Sequence, residues 1–206
     1  QGGDWGAAIT AMIGQQNRDH CASIHVNMPI VEPDPATMND LTPLERGALE
    51  AFRYYTEQDS GYSKQQSTRP QTLGYGLTDS PAGQAAWILE KFRAWTDCDG
   101  HPENALTRDE MLDDIMLYWC TASAASSARL YWESFNALGR FEIDLPAGIS
   151  VFPKEIFRAS RRWAERHYRH LIHWNELDRG GHFAALEVPQ VFGEEVRACF
   201  RPLRQG

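Results

Sequence analysis

The 206 residues of this chain are enough to bury one sizeable hydrophobic core, and 42% hydrophobic with 23% charged residues is an ordinary globular composition. The formal net charge of −8 argues against nucleic acid or an anionic membrane surface as the main partner. The four cysteines lack zinc-ligand spacing and no apolar run is long enough to span a membrane. We therefore expect no metal, no cofactor and a cytoplasmic location, with an anchor upstream of Gln1 left open.

The most informative pattern lies at the start of the chain, where Gly2, Asp4 and Gly6 form the sequence small-x-nucleophile-x-small. This pattern is typical of a sharp turn from a strand into a helix, which exposes the central side chain. Small residues are expected at Gly2 and Gly6 because larger ones would collide with neighbouring backbone. A carboxylate at the centre, in place of the usual hydroxyl, favours alkyl transfer over acyl transfer. Because the chain begins inside the pattern, we expect the strand before it to be missing.

The elements after this turn predict strands and helices around an all-helical middle. An apolar helix is expected from Trp5 to Asn17, and a strand over residues 21–28. Prolines between 29 and 43 mark a linker, after which the chain is mostly helical to Asn136. The helices expected in that stretch, with N-terminal caps at Thr42, Ser80 and Thr107, cover residues 43–56, 80–95, 107–120 and 124–135.

Strands return after Pro146. The expected elements are strands over 148–152 and 171–174 and helices over 161–168 and 189–200. Alternating strands and helices on both sides of a helical stretch predict an α/β fold. We assign residues 1–28 and 137–206 to an α/β core and residues 29–136 to an inserted helical lid with its linker.

His182 is the strongest candidate for a catalytic base. It follows Gly180 and Gly181 at the end of a predicted strand, and ligands collect at the carboxyl ends of strands in α/β sheets. Glu155 follows the preceding predicted strand, so its carboxylate is placed to orient an imidazole. Glu176 and Asp178 are rival acids, but both lie in the loop just before His182, from which reaching back is awkward. The order nucleophile, acid, histidine is that of α/β-hydrolases.

The chain resembles the microsomal-type epoxide hydrolases of the α/β-hydrolase superfamily. The resemblance is carried by stretches along the whole sequence, which cover residues 2–6, 59–62, 68–74, 79–81, 88–92, 116–119, 151–155 and 179–187. It implies an α/β-hydrolase core that is incomplete here, without its N-terminal strands, and an inserted helical lid domain.

The resemblance also implies a role for each candidate site residue. Asp4 is implied as the nucleophile, His182 as the base and Glu155 as the acid that orients it. The backbone N–H of Trp5 is implied as one oxyanion donor, whereas the family's second donor, a His-Gly-x-Pro loop on an earlier strand, has no counterpart here.

Two tyrosines, Tyr62 and Tyr131, match the lid residues that hold the epoxide oxygen in this family. From residue type alone, core packing is the better explanation for either of them. Phenols stay neutral at ordinary pH and can protonate an emerging alkoxide, which is the acid that ring opening requires.

The function implied is hydrolysis of epoxides to vicinal diols through a covalent alkyl ester on Asp4. The expected partners are a small apolar epoxide and water, with a homo-oligomer left open, and the chain alone is expected to be inactive. Two alternatives remain. A haloalkane dehalogenase also uses an aspartate nucleophile, and the Trp5 indole can bind halide; a non-catalytic binding protein keeps the fold without turnover.

Overall fold

The structure is a computed structural model that describes residues 1–16, 19–135 and 141–204. The chain divides into two compact units. The sheet unit comprises Gln1–Arg53 and Arg140–Gly206, and the helical unit comprises Tyr54–Gly139. The predicted helix end at Asn17 and the predicted boundary at 136/137 lie outside the described residues.

The sheet unit is built on three parallel strands in the order β1-β2-β3. The strands are β1 (Ile24–Val26), β2 (Ile143–Val151) and β3 (Tyr168–Glu176). The helices of this unit are α1 (Trp5–Gln16), α2 (Pro43–Tyr54), α8 (Arg161–Ala164), α9 (Ala184–Glu187) and α10 (Pro189–Phe200). Gly2 forms a further parallel bridge to Val26, so the residues before α1 run alongside β1. The predicted α/β class is confirmed.

The strands differ from the predicted ones in length. β1 is shorter than predicted, whereas β2 and β3 each extend over nine residues. β2 passes through Pro146, which was expected to precede the strand, and the pairing with β3 shifts register between Ile143 and Pro146. A proline removes one ladder donor, and this irregularity in register accompanies its place in a central strand.

The helix predicted over residues 161–168 is wrong beyond its first turn. It begins at Arg161 as predicted, with the Ser160 side chain accepting from the backbone N–H of Trp163, but it ends at Ala164. Tyr168 instead starts β3 and pairs with Ile143 of β2. Pairing with a strand distant in sequence decides the conformation here, which local helix propensity cannot reveal.

Residues 29–53, placed with the lid by sequence, belong to the sheet unit. The carboxylate of Glu45 is fully buried and accepts hydrogen bonds from the Ser160 hydroxyl at 2.6 Å and from the Arg162 guanidinium at 2.6 and 2.5 Å. The hydrogen bond from Arg162 is the main reason why the pKa of Glu45 falls to about 2. Ala48 packs nearby against Ala159 and Trp163. These contacts fasten α2 to the segment around α8.

The helical unit contains α3 to α7. Their bounds are α3 (Gly61–Thr68), α4 (Pro70–Asp79), α5 (Pro81–Trp95), α6 (Arg108–Cys120) and α7 (Ala124–Ser134). The predicted caps are present, since Ser80 accepts from the N–H of Gly83 and Thr107 forms a reciprocal capping box with Glu110. α3 and α4 were not predicted as separate helices. Among the described residues, no helix has the length and apolar character to cross a bilayer.

A single π-helical turn, Tyr55–Asp59, joins the end of α2 to α3. The helix predicted to end at residue 56 is therefore α-helical to Tyr54 and continues as a π-helix to Asp59. π-helical turns are rare and are frequent at functional sites. This one lies directly before Tyr62.

Candidate active site

The candidate residues of the sheet unit follow consecutive strands at one edge of the sheet. Asp4 comes after the Gly2 bridge, Asn27 after β1, Glu155 after β2 and His182 after β3. Because the strands are parallel, their carboxyl ends meet at the same edge, where functional groups collect in open α/β sheets.

The turn at Asp4 is strained and leaves no room for a side chain at Gly2. Asp4 has a φ of 48°, in the left-handed region that few non-glycine residues adopt. A Cβ at Gly2 would lie 1.9 Å from the carbonyl oxygen of Gly6. The predicted steric reason is therefore confirmed at Gly2. It is wrong at Gly6, where an added Cβ meets no described atom within 4 Å outside its own helix.

The two glycines give a matched pair of substitutions. We expect Gly2→Ala to cost about 2–3 kcal/mol of folding free energy, because backbone must move to admit the methyl group. Gly6→Ala is expected to stay within about 1 kcal/mol of the parent, since alanine favours the helix. Denaturant unfolding of the two variants measures both effects, and equal stabilities would contradict this account of the turn.

A short backbone contact brings the acid and the histidine together. The loops after β2 and β3 form an isolated parallel bridge between Lys154 and Gly181, with the N–H of Lys154 donating to the carbonyl of Gly180 at 3.2 Å. Gly180 has a φ of +96°, and a Cβ there would lie 2.9 Å from the Phe152 ring. This bridge sets Glu155 and His182 side by side.

His182 joins the other two members of the predicted triad. Its Nδ1 lies 2.7 Å from Oε1 of Glu155, and its Nε2 lies 4.0 Å from Oδ2 of Asp4. The same Glu155 oxygen accepts from the backbone N–H of Ile156 at 2.7 Å. Since a carboxylate can only accept, it selects the tautomer with the proton on Nδ1 and leaves Nε2 as the basic nitrogen.

The surroundings shift the pKa values of His182 and Asp4. Burial lowers the pKa of His182, but the negative charges of Glu155, Asp4 and Glu187 and the hydrogen bond to Glu155 outweigh it, so the pKa is raised. Desolvation is the main cause that raises the pKa of Asp4; the charge of His182 and the N–H of Trp5 oppose it, while Glu155 adds to it. The Asp4 side chain is 48% exposed, so water limits that shift.

Asp4 and His182 open onto a pocket of about 260 Å³ in the sheet unit. Asn27, Phe183 and Phe192 contribute to its lining. Asn27 was not singled out by sequence, because it lies inside the strand predicted over residues 21–28, whereas β1 ends at Val26. One carboxylate, one imidazole and apolar rings together suit a reaction on a small, largely apolar molecule.

The two predicted tyrosines meet in the helical unit. Tyr62 lies on α3 and Tyr131 on α7, and their rings contact edge to face with centroids 5.8 Å apart. The hydroxyl of Tyr62 also lies 3.2 Å from that of Tyr55. The family resemblance had singled out these two phenols, which are far apart in the sequence and whose rings are in contact in the structure.

Two other histidines belong to a hydrogen-bonded group in the sheet unit. His25 on β1 and His173 on β3 are joined through Ser150 and Glu195, with His25 Nε2 2.9 Å from the Ser150 hydroxyl and His173 Nε2 2.7 Å from Glu195 Oε2. Burial lowers the pKa of His25 to about 4, so this imidazole stays neutral at ordinary pH. The rival acid Glu176 accepts from the Trp174 indole at 3.2 Å.

The chain is similar to known proteins along its whole length. No family model matches it. A curated relative from Stigmatella aurantiaca, described as a candidate epoxide hydrolase, is 56% identical over 207 residues, covering 99% of this chain and 47% of the relative. Epoxide hydrolase 1 of Sus scrofa is 35% identical over 231 residues, covering 100% of this chain and 51% of that protein. The chain spans about half the length of the curated relatives it matches.

The likeness extends to three-dimensional structure. The solved structure of the Aspergillus niger epoxide hydrolase superposes with a TM-score of 0.86 at 29% identity, covering 98% of this chain and 51% of that chain. The matched regions cover 99% and 100% of this chain in sequence and 98% in structure, so the likeness includes the helical unit. The resemblance to the microsomal-type epoxide hydrolases of the α/β-hydrolase fold is confirmed, and this chain corresponds to about half the length of such a protein.

Proposed function

We propose that the protein containing this chain hydrolyses small apolar epoxides to vicinal diols through a covalent ester on Asp4. The observation that carries this proposal is an aspartate on a strained turn, with a carboxylate oxygen 4.0 Å from the basic nitrogen of a histidine that Glu155 orients. A carboxylate is an oxygen nucleophile that needs no base to activate it, because its ordinary pKa lies far below neutral.

In the first step an oxygen of Asp4 attacks a ring carbon and the ring C–O bond breaks. The alkoxide that forms is a poor leaving group, so it needs a proton at the same moment. We assign that proton to the phenols of Tyr62 and Tyr131. The step ends with an alkyl ester on Asp4 and a free hydroxyl on the neighbouring carbon.

In the second step His182 Nε2 takes a proton from water, and the hydroxide oxygen attacks the carboxyl carbon of the ester. The oxyanion of the tetrahedral intermediate is stabilised by the backbone N–H of Trp5 at the start of α1. The bond from the carboxyl carbon to the alkyl oxygen then breaks, and the alkyl oxygen takes the proton from His182. Asp4 is released as a carboxylic acid, and its proton replaces the one that the phenol gave in the first step. Glu155 stabilises the imidazolium between these transfers.

Product analysis of the complete protein tests this function directly. With styrene oxide we expect the vicinal diol, and with a bromoalkane in a parallel reaction we expect no bromide. Asp4→Asn is the control for a background reaction and is expected to yield no diol above the uncatalysed level. Bromide release without diol would show that the protein is a dehalogenase. If neither diol nor bromide forms, the alternative of a non-catalytic binding protein is favoured.

A further inference from the structure

The ring of Tyr62 is enclosed by aromatic and charged groups of the helical unit. Trp95 and Tyr131 both contact it edge to face, with ring centroids 5.1 Å and 5.8 Å from that of Tyr62. The ammonium group of Lys91 lies over the Tyr62 ring, with Nζ 4.8 Å from the ring centroid. A cation at this distance is attracted to the electron-rich face of an aromatic ring.

Lys91 is held in place by three acceptors. Its Nζ donates to Asp59 Oδ1 at 2.6 Å, to the Asp59 carbonyl at 3.4 Å and to Glu90 Oε1 at 2.7 Å. The side chains of Lys91 and Asp59 are 11% and 12% exposed, so this ion pair is largely shielded from water. An ammonium group has three N–H donors, so all of them have acceptors here.

Asp59 connects this ion pair to the segment that carries Tyr62. It is the last residue of the π-helical turn and stands three positions before the tyrosine. Its second carboxylate oxygen accepts from the Trp95 indole N–H at 2.5 Å. Lys91 and Trp95 both lie on α5, so Asp59 fastens the start of α3 to that helix at two points.

Lys91 keeps its charge in this setting. Burial lowers the pKa of Lys91, but the hydrogen bonds and charges of Asp59 and Glu90 outweigh burial, and the pKa is raised. Lys91 therefore carries its positive charge at any pH at which the enzyme is expected to work.

We propose that Lys91, fixed by Asp59, is a positioning residue for epoxide ring opening, because it holds the ring of Tyr62 and with it the phenol that donates to the epoxide oxygen. The proposal rests on the proposed function, since it matters only if Tyr62 donates that proton. Lys91 itself touches no reacting atom. The alignment of a proton donor can change a reaction rate by large factors. Because Tyr62 gives its proton during ring opening, we expect the effect of Lys91 on the alkylation step alone.

The test uses the complete protein and resolves ester formation from ester hydrolysis by rapid mixing and quenching with styrene oxide. We expect Lys91→Met, which removes the charge and keeps the chain length, to slow ester formation about 10- to 100-fold. Ester hydrolysis should keep its rate, because that step uses His182. Lys91→Arg, which keeps the cation, is expected to recover most of the lost rate. Lys64→Met, an exposed lysine on the helix of Tyr62, is the matched control.

A double-mutant cycle separates positioning from general loss of structure. In a Tyr62→Phe background position 62 has no phenol to be aligned, so Lys91→Met should add little to the loss of alkylation. Equal slowing in both backgrounds, or equal slowing of both chemical steps, would overturn the proposal. If Lys91→Met does not fold, Asp59→Asn takes its place in the cycle, with the same expected and contradicting outcomes.

The cycle also distinguishes this inference from the proposed function. If Tyr62→Phe alone slows alkylation while Lys91→Met does not, the positioning role is wrong and the mechanism stands. If no ester forms on Asp4 in the parent protein, the mechanism itself is wrong.

Discussion

Replacing His182 with glutamine in the complete protein is expected to stop the reaction after one ring opening. Asp4 still attacks the epoxide, because a carboxylate needs no base, but the ester then lacks the group that activates water. We expect its hydrolysis to slow about 10²–10⁴-fold, the usual contribution of a general base. Mass spectrometry of the peptide that contains Asp4 should show one equivalent of added epoxide.

The control for this trapped ester is the double variant Asp4→Asn with His182→Gln, in which no adduct should form. Glu155→Gln is expected to act in the same direction as His182→Gln and less strongly. It keeps an oxygen near Nδ1, at 2.7 Å in the parent, but loses the charge that stabilises the imidazolium. An adduct on another residue of His182→Gln, or rapid turnover by that variant, would contradict the assigned base.

The same step gives the parent protein a pH dependence with a definite sign. Only neutral His182 can take a proton from water, so ester hydrolysis is lost as the pH falls through the pKa of this group. In the free protein that pKa is raised above the ordinary value of about 6.5, and Glu155, the main cause of the increase, still lies beside the imidazole when Asp4 is esterified and uncharged. We therefore expect the loss to begin at a higher pH than for a free imidazole. The quenched ester fraction of the parent protein should therefore rise as the solution is acidified.

Replacing Tyr62 and Tyr131 together by phenylalanine is expected to slow ring opening about 10²–10⁴-fold. Both rings remain, so packing on α3 and α7 is preserved, but no phenol is left to protonate the alkoxide. Each single variant should lose less, because the other phenol still donates. Rapid-quench measurement of ester formation gives the rate, and the hydrolysis rate of preformed ester should not change.

Tyr75→Phe is the matched control for the tyrosine pair. Tyr75 belongs to the same helical unit but is 69% exposed on α4, so loss of its hydroxyl should leave ester formation unchanged. Near-normal ring opening by the double variant would exclude the phenols as the acid.

Much of this fold follows from local signals that sequence carries directly. The glycine at position 2, the capping serine at 80 and the capping box at 107 act within one turn of the chain, and each predicted feature is present. The helix expected to reach Tyr168 ends at Ala164, because pairing of Tyr168 with Ile143 wins over helix propensity. No local sequence pattern predicts pairing with a strand that lies so far away in the sequence.

The candidate site divides in the same way. Asp4, Glu155 and His182 were predicted to lie together because each follows a strand, and parallel strands bring their carboxyl ends to one edge of the sheet. The surroundings of Tyr62 could not be predicted from the order of residues along the chain. Lys91 and Asp59 lie in stretches that resemble the family, but their ion pair depends on how α5 packs against the π-helical turn. That packing is a tertiary property with no spacing rule in the sequence.

The central claim is that the oxygen added to the epoxide comes from Asp4, and a single turnover in water labelled with heavy oxygen tests it most directly. With enzyme in excess over epoxide, the account predicts an unlabelled diol and one heavy oxygen in the carboxylate of Asp4. A labelled diol and an unlabelled Asp4 after that first turnover would contradict it.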